Sequence, residues 1–534
     1  MPYFCYNTGT GKSTITRAIV RNHLPDDEDS VTLILAVQNK AIDVLVKSFE
    51  RFVDNFPVSS LVGMLVVGSK DNNNMGEYAK RFTLDALLPF NHDYAAAEVE
   101  FLACPSGNIK LQKLLEKKLS VAKSAALVQI CSCVRILFCT LTEVHKLVRT
   151  DVMRDEFVGR VTTVIVDEAG ALPEWQAALI AQLPAVQRVI FVGDIKQLPP
   201  FSLIKEDKAP RGFLERVQNQ FARCKMPVPM LTRQFRMHPD IAQLVSDAFY
   251  DGHLKSDATS TLARSPQFLP GGLYLAGLYW LVYDRDKPTH EFVEKPVGSG
   301  MYALRAVSSK SAEAGAASGE QCFEEQIYNS WTNATEIHHI LEGLELFVTS
   351  GIFAAGKSVA VISFYKQQNE LLKLAVEASR HSAALLSAVN SAALRLQTVD
   401  SSQGDEADIV ILSCVRSNPN GDVGFISGLN GTKRTCVALS RPREALVIVG
   451  DPATVAKQSG KLAFNRLWPN GEPATHMKLL NSFGVLAAAV GARISKAAAA
   501  EQIFETFGAT TAASEAAGND SDNEEDEDLD GDFM

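Results

Sequence analysis

Short apolar runs bounded by polar turns recur along the first half of the chain, at intervals that suit intervening helices. Val31-Thr-Leu-Ile-Leu-Ala-Val37, Arg135-Ile-Leu-Phe-Cys-Thr140, Val161-Thr-Thr-Val-Ile-Val166 and Arg188-Val-Ile-Phe-Val-Gly193 are runs of this kind. Apolar stretches of that length without alternation predict strands buried on both faces. A short strand, Pro2 to Cys5, precedes them, and Thr14 to His23 suits the helix that follows it. The second half repeats the pattern with Val359 to Ser363, Leu394 to Thr398, Ile409 to Cys414 and Leu446 to Gly450. Strands alternating with helices predict an α/β fold with parallel sheets covered on both sides.

Two segments break the rhythm. From Asp71 to about Cys133 the pattern is helical and irregular and reads as an insertion; within it Leu111, Leu114, Leu115 and Leu119 are expected on one helix face, with Lys113, Lys117, Lys118 and Lys123 largely on solvated ones. The Ser/Ala/Gly-rich stretch Gly298 to Gly319 reads as a flexible surface insertion. The expected organisation is a first domain over 1–228, a second over 229–475, and an Ala-rich segment with an acidic tail over 476–534.

The net charge of −10 seems to argue against a polyanionic partner, but nine of the 62 acidic residues lie in 520–532. The rest of the chain is close to neutral, and the tail is expected to be disordered and open to protein partners. Nine cysteines without a C-x-x-C pair fit a reducing compartment. The apolar run Pro270 to Tyr283 is shorter than the roughly 20 residues of a membrane span, so no membrane association is expected. A cytoplasmic or nuclear location follows as the expectation.

Chemistry concentrates after the predicted strands. Thr8-Gly9-Thr10-Gly11-Lys12-Ser13-Thr14 reads as a phosphate-binding loop, in which Gly9 and Gly11 let backbone N–H groups face an anion at the start of a helix. Lys12 is placed to reach the outer phosphates of ATP, and Ser13 to hold Mg²⁺. The position where a further glycine is usual is Tyr6. Asp167 and Glu168 follow an apolar strand, where a nucleotide triphosphatase keeps the carboxylate that organises Mg²⁺ and the one that activates water. Gln197, before Pro199 and Pro200, is suited to sensing the γ-phosphate or orienting water.

Leu231-Thr-Arg-Gln234-Phe235-Arg236-Met237-His238-Pro239 makes the pattern specific. With the preceding motifs it resembles the superfamily 1 helicases of the group containing the nonsense-mediated-decay helicase and senataxin, which carry Q-Y-R-M-H-P here. Ser330, Asn333 and Glu336, the segment Ile362 to Gln368, Thr398-Val-Asp400-Ser-Ser-Gln403-Gly404-Asp405-Glu406, and Val437-Ala-Leu-Ser440-Arg441-Pro-Arg443 extend the likeness to about Asp451. Phe364, Cys436 and Pro442 depart from the family pattern, and the proline is expected to disturb the helix carrying Arg441.

The resemblance implies two RecA-like P-loop domains with ATP between them. The first supplies Gly9, Thr10, Gly11, Lys12, Ser13, Thr14, Asp167, Glu168 and Gln197; Phe235 stacks on adenine and Arg236 contacts the γ-phosphate near the junction; Glu406 and Arg441 come from the second. It also implies that Asn39, Thr140 and Thr398 contact the backbone of single-stranded RNA or DNA, with 5′-to-3′ movement. An alternative is a non-catalytic nucleic-acid-binding or scaffold protein of helicase descent, favoured by Tyr6, Cys436 and Pro442 and opposed by the retained charged residues. A metabolic P-loop kinase fits less well, having no need of the second strand set. Because Met1 stands directly before the first strand, a longer form with an upstream base-recognition segment is expected, as is weak discrimination of ATP from GTP by the chain given.

Overall fold

A computed structural model of the chain describes residues 3–6, 9–23, 29–53, 63–68, 71–72, 75–105, 108–149, 151–200, 223–225, 228–259, 275–282, 289–294, 302–307, 324–327, 329–456, 463–469, 472–475, 477–480 and 482–483. The Ala-rich segment and acidic tail expected beyond 483 lie outside these residues.

The first sheet contains β1 (Tyr3–Tyr6), β2 (Val31–Ala36), β3 (Gly63–Val66), β4 (Val134–Thr140), β5 (Val161–Val166), β6 (Arg188–Gly193) and β7 (Met230–Leu231), in the order β3-β4-β2-β5-β6-β1-β7. The second contains β8 (Gly277–Leu281), β9 (Val359–Ser363), β10 (Leu394–Thr398), β11 (Ala407–Ser413), β12 (Pro442–Val449) and β13 (Lys478–Leu480), in the order β10-β9-β11-β12-β8-β13. The pairings within both sheets are parallel. This is the α/β architecture of two RecA-like domains.

The unalternating apolar runs have the predicted cause. Leu33 and Leu35 of β2 enter one core while Ile34 and Ala36 enter the core on the opposite face. Val359 and Val361 of β9 divide from Ala360 and Ile362 in the same way. Helices α1 (Lys12–His23) and α2 (Asn39–Val53) follow β1 and β2, so their N-termini meet at the carboxyl edge of the sheet.

The helical insertion contains α3 (His92–Leu102) and α4 (Ile109–Ser132), capped by the side chains of Asn91 and Asn108. Leu111, Leu115 and Leu119 are half-buried, but Leu114 is 65% exposed. The expectation that it shares their face fails because the packed stripe runs at intervals of four residues. Beyond β7, α5 (Pro239–Phe249) buries Ile241, Leu244 and Val245 in a core shared with the second sheet. Helices α6 (Ala334–Thr349), α7 (Lys366–Ala378) and α8 (Gly428–Leu439) complete the elements used below.

One unassigned run is placed, and two sequence readings are corrected. Within the run Pro270 to Tyr283, residues 277–281 form β8, whose Trp280 is buried and donates Nε1–H to the Gly450 carbonyl at 2.9 Å. No helix among the described residues is long and apolar enough to cross a membrane. Within the stretch expected to be a flexible insertion, Tyr302–Val307 forms a strand antiparallel to Thr289–Glu294, in keeping with the β-favouring Tyr302 and Val307. Pro442 does not interrupt a helix: α8 ends at Leu439, and Pro442 is the first residue of β12, a position that tolerates a missing N–H.

Candidate active site

Tyr6 ends β1 opposite Leu231, so the chain enters the loop from extended backbone that any residue adopts. Gly9 and Gly11 then take φ values of 72° and 84°, the left-handed region where a side chain is costly. A Cβ on Gly9 would stand 2.9 Å from Arg236 Cβ, and the Gly9 carbonyl accepts from the Phe235 N–H at 2.9 Å. The glycine loop therefore rests directly on the Gln234-Phe235-Arg236 segment.

A cavity of about 670 Å³ opens above this contact. Gly9, Gly11, Lys12, Ser13, Thr14, Asp167 and Glu168 line it from the first domain, Phe235 and Arg236 from the junction, and Gly404, Asp405, Glu406, Arg441 and Arg443 from the second. Its volume lies within the range of small-molecule sites. Thr10 is buried beside these groups and does not line the cavity.

Lys12 Nζ lies 3.1 Å from Glu168 Oε1. Burial opposes the charge on both, yet their mutual attraction prevails, holding Lys12 above and Glu168 below its ordinary pKa. Glu168 itself has φ 53°, unusual for a residue with a side chain and a form of strain that collects at functional sites. Burial, aided by the neighbouring charge of Glu168 and opposed by Lys12, pushes the Asp167 carboxyl up to about 7. Its Oδ1 is buried with no hydrogen-bond partner. A buried, unpartnered carboxylate oxygen in a cavity that Ser13 also lines fits Mg²⁺, a cation that takes one or two protein oxygens and completes its shell with phosphates and water.

On the facing side Arg441 is 2% exposed, and its hydrogen bonds all go to neutral oxygens: the Val437 carbonyl at 2.9 Å, the Asp405 carbonyl at 2.9 Å and Ser440 Oγ at 3.0 Å. Burial and the nearby Arg236 push its guanidinium down to about 10. Its positive charge is thus held in place by hydrogen bonds to neutral oxygens, with Glu168 and Asp405 as the nearby carboxylates. Arg236 donates to Glu406 Oε2 at 2.8 Å and to the Ser440 carbonyl at 3.1 Å, while Arg443 takes Glu406 Oε1 and Asp408 Oδ1.

Gln197 is not among the residues lining the cavity. It is 2% exposed and donates to Asp194 Oδ2 at 3.1 Å, an oxygen that also accepts from the Tyr250 hydroxyl at 2.6 Å. Cys436 packs behind it, 3.5 Å from that hydroxyl. Asn39 opens α2, and Thr140 ends β4 on the strand beside β2. Thr398 ends β10 beside Ser363 of the second sheet, so all three lie at carboxyl edges but line no part of the cavity.

Residues absent from the sequence reading of the site include Asp194, Arg395, Arg443, Tyr250 and Lys40. Asp194 carried a usable signal, since it follows a strand just as Asp167 does. Tyr250 carried none, because its partner is 56 residues away. Lys40 pairs with Asp405 at 2.5 Å across the two domains.

A phosphate loop and two carboxylates on one parallel sheet, faced by arginines from a second, define a P-loop NTPase with a split site. Two family models, each described as an AAA domain, match residues 106–205 and 211–453. The chain is 26% identical over 453 residues to the regulator of nonsense transcripts 1 homolog of Arabidopsis thaliana, covering 84% of this chain and 31% of that protein. It is 27% identical to the probable helicase senataxin of Homo sapiens over 60% of this chain and 10% of that one. To the 5′-3′ DNA helicase ZGRF1 of Mus musculus it is 32% identical over 57% and 13% respectively. By these matches the chain is similar to the superfamily 1 helicases of the group that includes the regulator of nonsense transcripts 1 and senataxin. It spans a third or less of the length of these three relatives.

Proposed function

We propose that this chain is the motor core of an ATP-driven translocase on single-stranded nucleic acid, moving 5′ to 3′. The observation that carries the reading is the split site, in which Lys12 and Glu168 face a buried Arg441 held only by neutral oxygens.

ATP enters with its phosphates against the Gly9–Ser13 loop and its base against Phe235. Ser13 and Asp167 would hold Mg²⁺, which would supply positive charge against the outer phosphates. The phosphate draws Lys12 away from Glu168, and the carboxylate, losing its nearest cation, becomes a stronger base toward the attacking water. Arg441 and Arg236 then stabilise the charge that gathers on the transferring phosphoryl group. Gln197 acts through Asp194, fixing the floor of the site.

Because the two sides of the site belong to different domains, each turnover closes and reopens the cleft. Asn39 and Thr140 on one domain and Thr398 on the other grip the strand backbone, so closure moves it. Neutral donors can bind phosphates without a basic surface. RNA is the proposed natural substrate, in line with the relative named for nonsense transcripts, and the cytoplasm or nucleus the proposed location. The acidic run 520–532 is the proposed attachment for protein partners.

The test is displacement of streptavidin from biotinylated single strands. ATP-dependent release from the 3′ end, and not from the 5′ end, is expected. Release from the 5′ end alone, or from neither end, overturns the reading.

A further inference from the structure

The carboxyl edge of the second sheet carries an exposed aromatic ring with a built support. Phe425 is 53% exposed. Beneath it lies Tyr365, 2% exposed, with ring centroids 5.1 Å apart and planes 18° from parallel. The Tyr365 hydroxyl accepts from the Phe425 N–H at 3.1 Å, so the backbone and the ring are fixed together. Gly424 permits that approach. It has φ 52°, and a Cβ there would collide with the Tyr365 hydroxyl and with Arg416. The Arg434 guanidinium stands 5.3 Å from the Phe425 ring centroid. Leaving a large apolar ring half in water is unfavourable, and with Tyr365 stacked behind it and the Arg434 guanidinium over the ring, its exposed part offers a combined aromatic and guanidinium surface to a planar partner.

Its position in the fold says what that partner is. Arg434 Nε donates to Asp400 Oδ1 at 3.2 Å, two residues beyond Thr398. Tyr365 N–H donates to Ser363 Oγ at 3.2 Å, and Ser363 is paired with Thr398 in the sheet. Both supports of Phe425 therefore lead to the residue proposed to hold the strand backbone in this domain. A flat ring beside a backbone grip, with a guanidinium at hand, is the arrangement that binds single strands without reading their sequence.

We infer that Phe425 is a stacking platform for one base of the single strand, making the second domain's grip a pair of contacts, Thr398 on the backbone and Phe425 on the base. The inference rests on the strand-binding reading above. Stacking is sequence-tolerant because every base has a π-face, and it resists sliding when the domain moves.

The test uses the full chain at fixed salt, with fluorescent single-stranded RNA and DNA and matched strands of abasic backbone. Phe425→Ala and Phe425→Leu are each expected to weaken binding of base-bearing strands by roughly 5- to 150-fold, the worth of one stacked base. Leu keeps the apolar bulk and so separates stacking from simple packing. Phe425→Trp should retain affinity, and all four proteins should bind abasic strands alike. Unchanged affinity of both Ala and Leu variants for base-bearing strands, while the wild type binds them, overturns the platform and leaves the ring to another partner. Failure of the wild type to bind any strand overturns the functional reading itself, and this inference with it.

Discussion

Arg236 donates from Nε to Glu406 Oε2 at 2.8 Å, tying the segment that leaves the first sheet to the second domain. Arg443 holds the other oxygen of the same carboxylate. Glu406 is thus the shared anion of two arginines at the rim of the nucleotide cavity.

This arrangement predicts a pH signature. Burial works against the charge on Glu406, but Arg236 and Arg443 outweigh it and hold the carboxyl at about 2, against an ordinary 4.5. A depressed carboxylate adds stability that is complete above its unfolded pKa and disappears as pH falls through the folded one. Denaturant unfolding of wild type and Glu406→Gln should differ by a constant amount above about pH 5 and converge as pH falls toward 2. A gap that does not change with pH would show that the ion pairs are not its source.

Lys12→Ala and Glu168→Gln should both lose turnover for different reasons. In the proposed mechanism Lys12 meets the phosphates, so its removal should greatly weaken ATP binding. Glu168 is the proposed base for the water, so its amide variant should bind ATP well and lose about 10²- to 10⁴-fold in rate. Nucleotide titration beside single-turnover hydrolysis separates the two; near-normal turnover in either variant contradicts the assigned roles.

Arg441→Ala should lower the rate by about 10³- to 10⁵-fold while changing ATP affinity far less. Its charge is already in place in the second domain, and in the proposed mechanism it is recruited when the cleft closes. A variant that hydrolyses ATP at the wild-type rate in the presence of single strands would mean that Arg441 never reaches the phosphate.

Gly9→Ala tests the contact between loop and junction. The left-handed φ of 72° and the 2.9 Å approach to Arg236 Cβ leave no unstrained place for a methyl group. The cost is about 1 to 3 kcal/mol, borne by the loop or by displacement of Arg236. Reduced ATP affinity with a lowered melting temperature is expected, and wild-type values of both would show that the loop relaxes freely.

The parts of the fold legible in the sequence were those with a local signature. Fully buried strands such as β2 and β5 announce themselves as unbroken apolar runs, and Gly9, Gly11, Asp167 and Glu168 sit at fixed offsets from them. β3 and β13 were missed because a strand of three or four residues at a sheet edge carries too little pattern, and β8 because its flanking apolar residues lengthened the run. Arg443, Tyr250 and Lys40 matter through partners that are 37, 56 and 365 residues distant, and no spacing rule reaches that far. Pro442 was misread for the reverse reason: its local effect was judged on a helix that ends three residues earlier.

In the proposed mechanism the two domains form one ATP site answering to a single strand. The most direct test is the steady-state ATPase rate of the chain with and without single-stranded RNA or DNA, with Glu168→Gln as background. Hydrolysis above that background is expected, raised severalfold or more by the strand and abolished by Arg441→Ala. A rate indistinguishable from Glu168→Gln at saturating ATP and strand, in a protein that binds both, would contradict that mechanism.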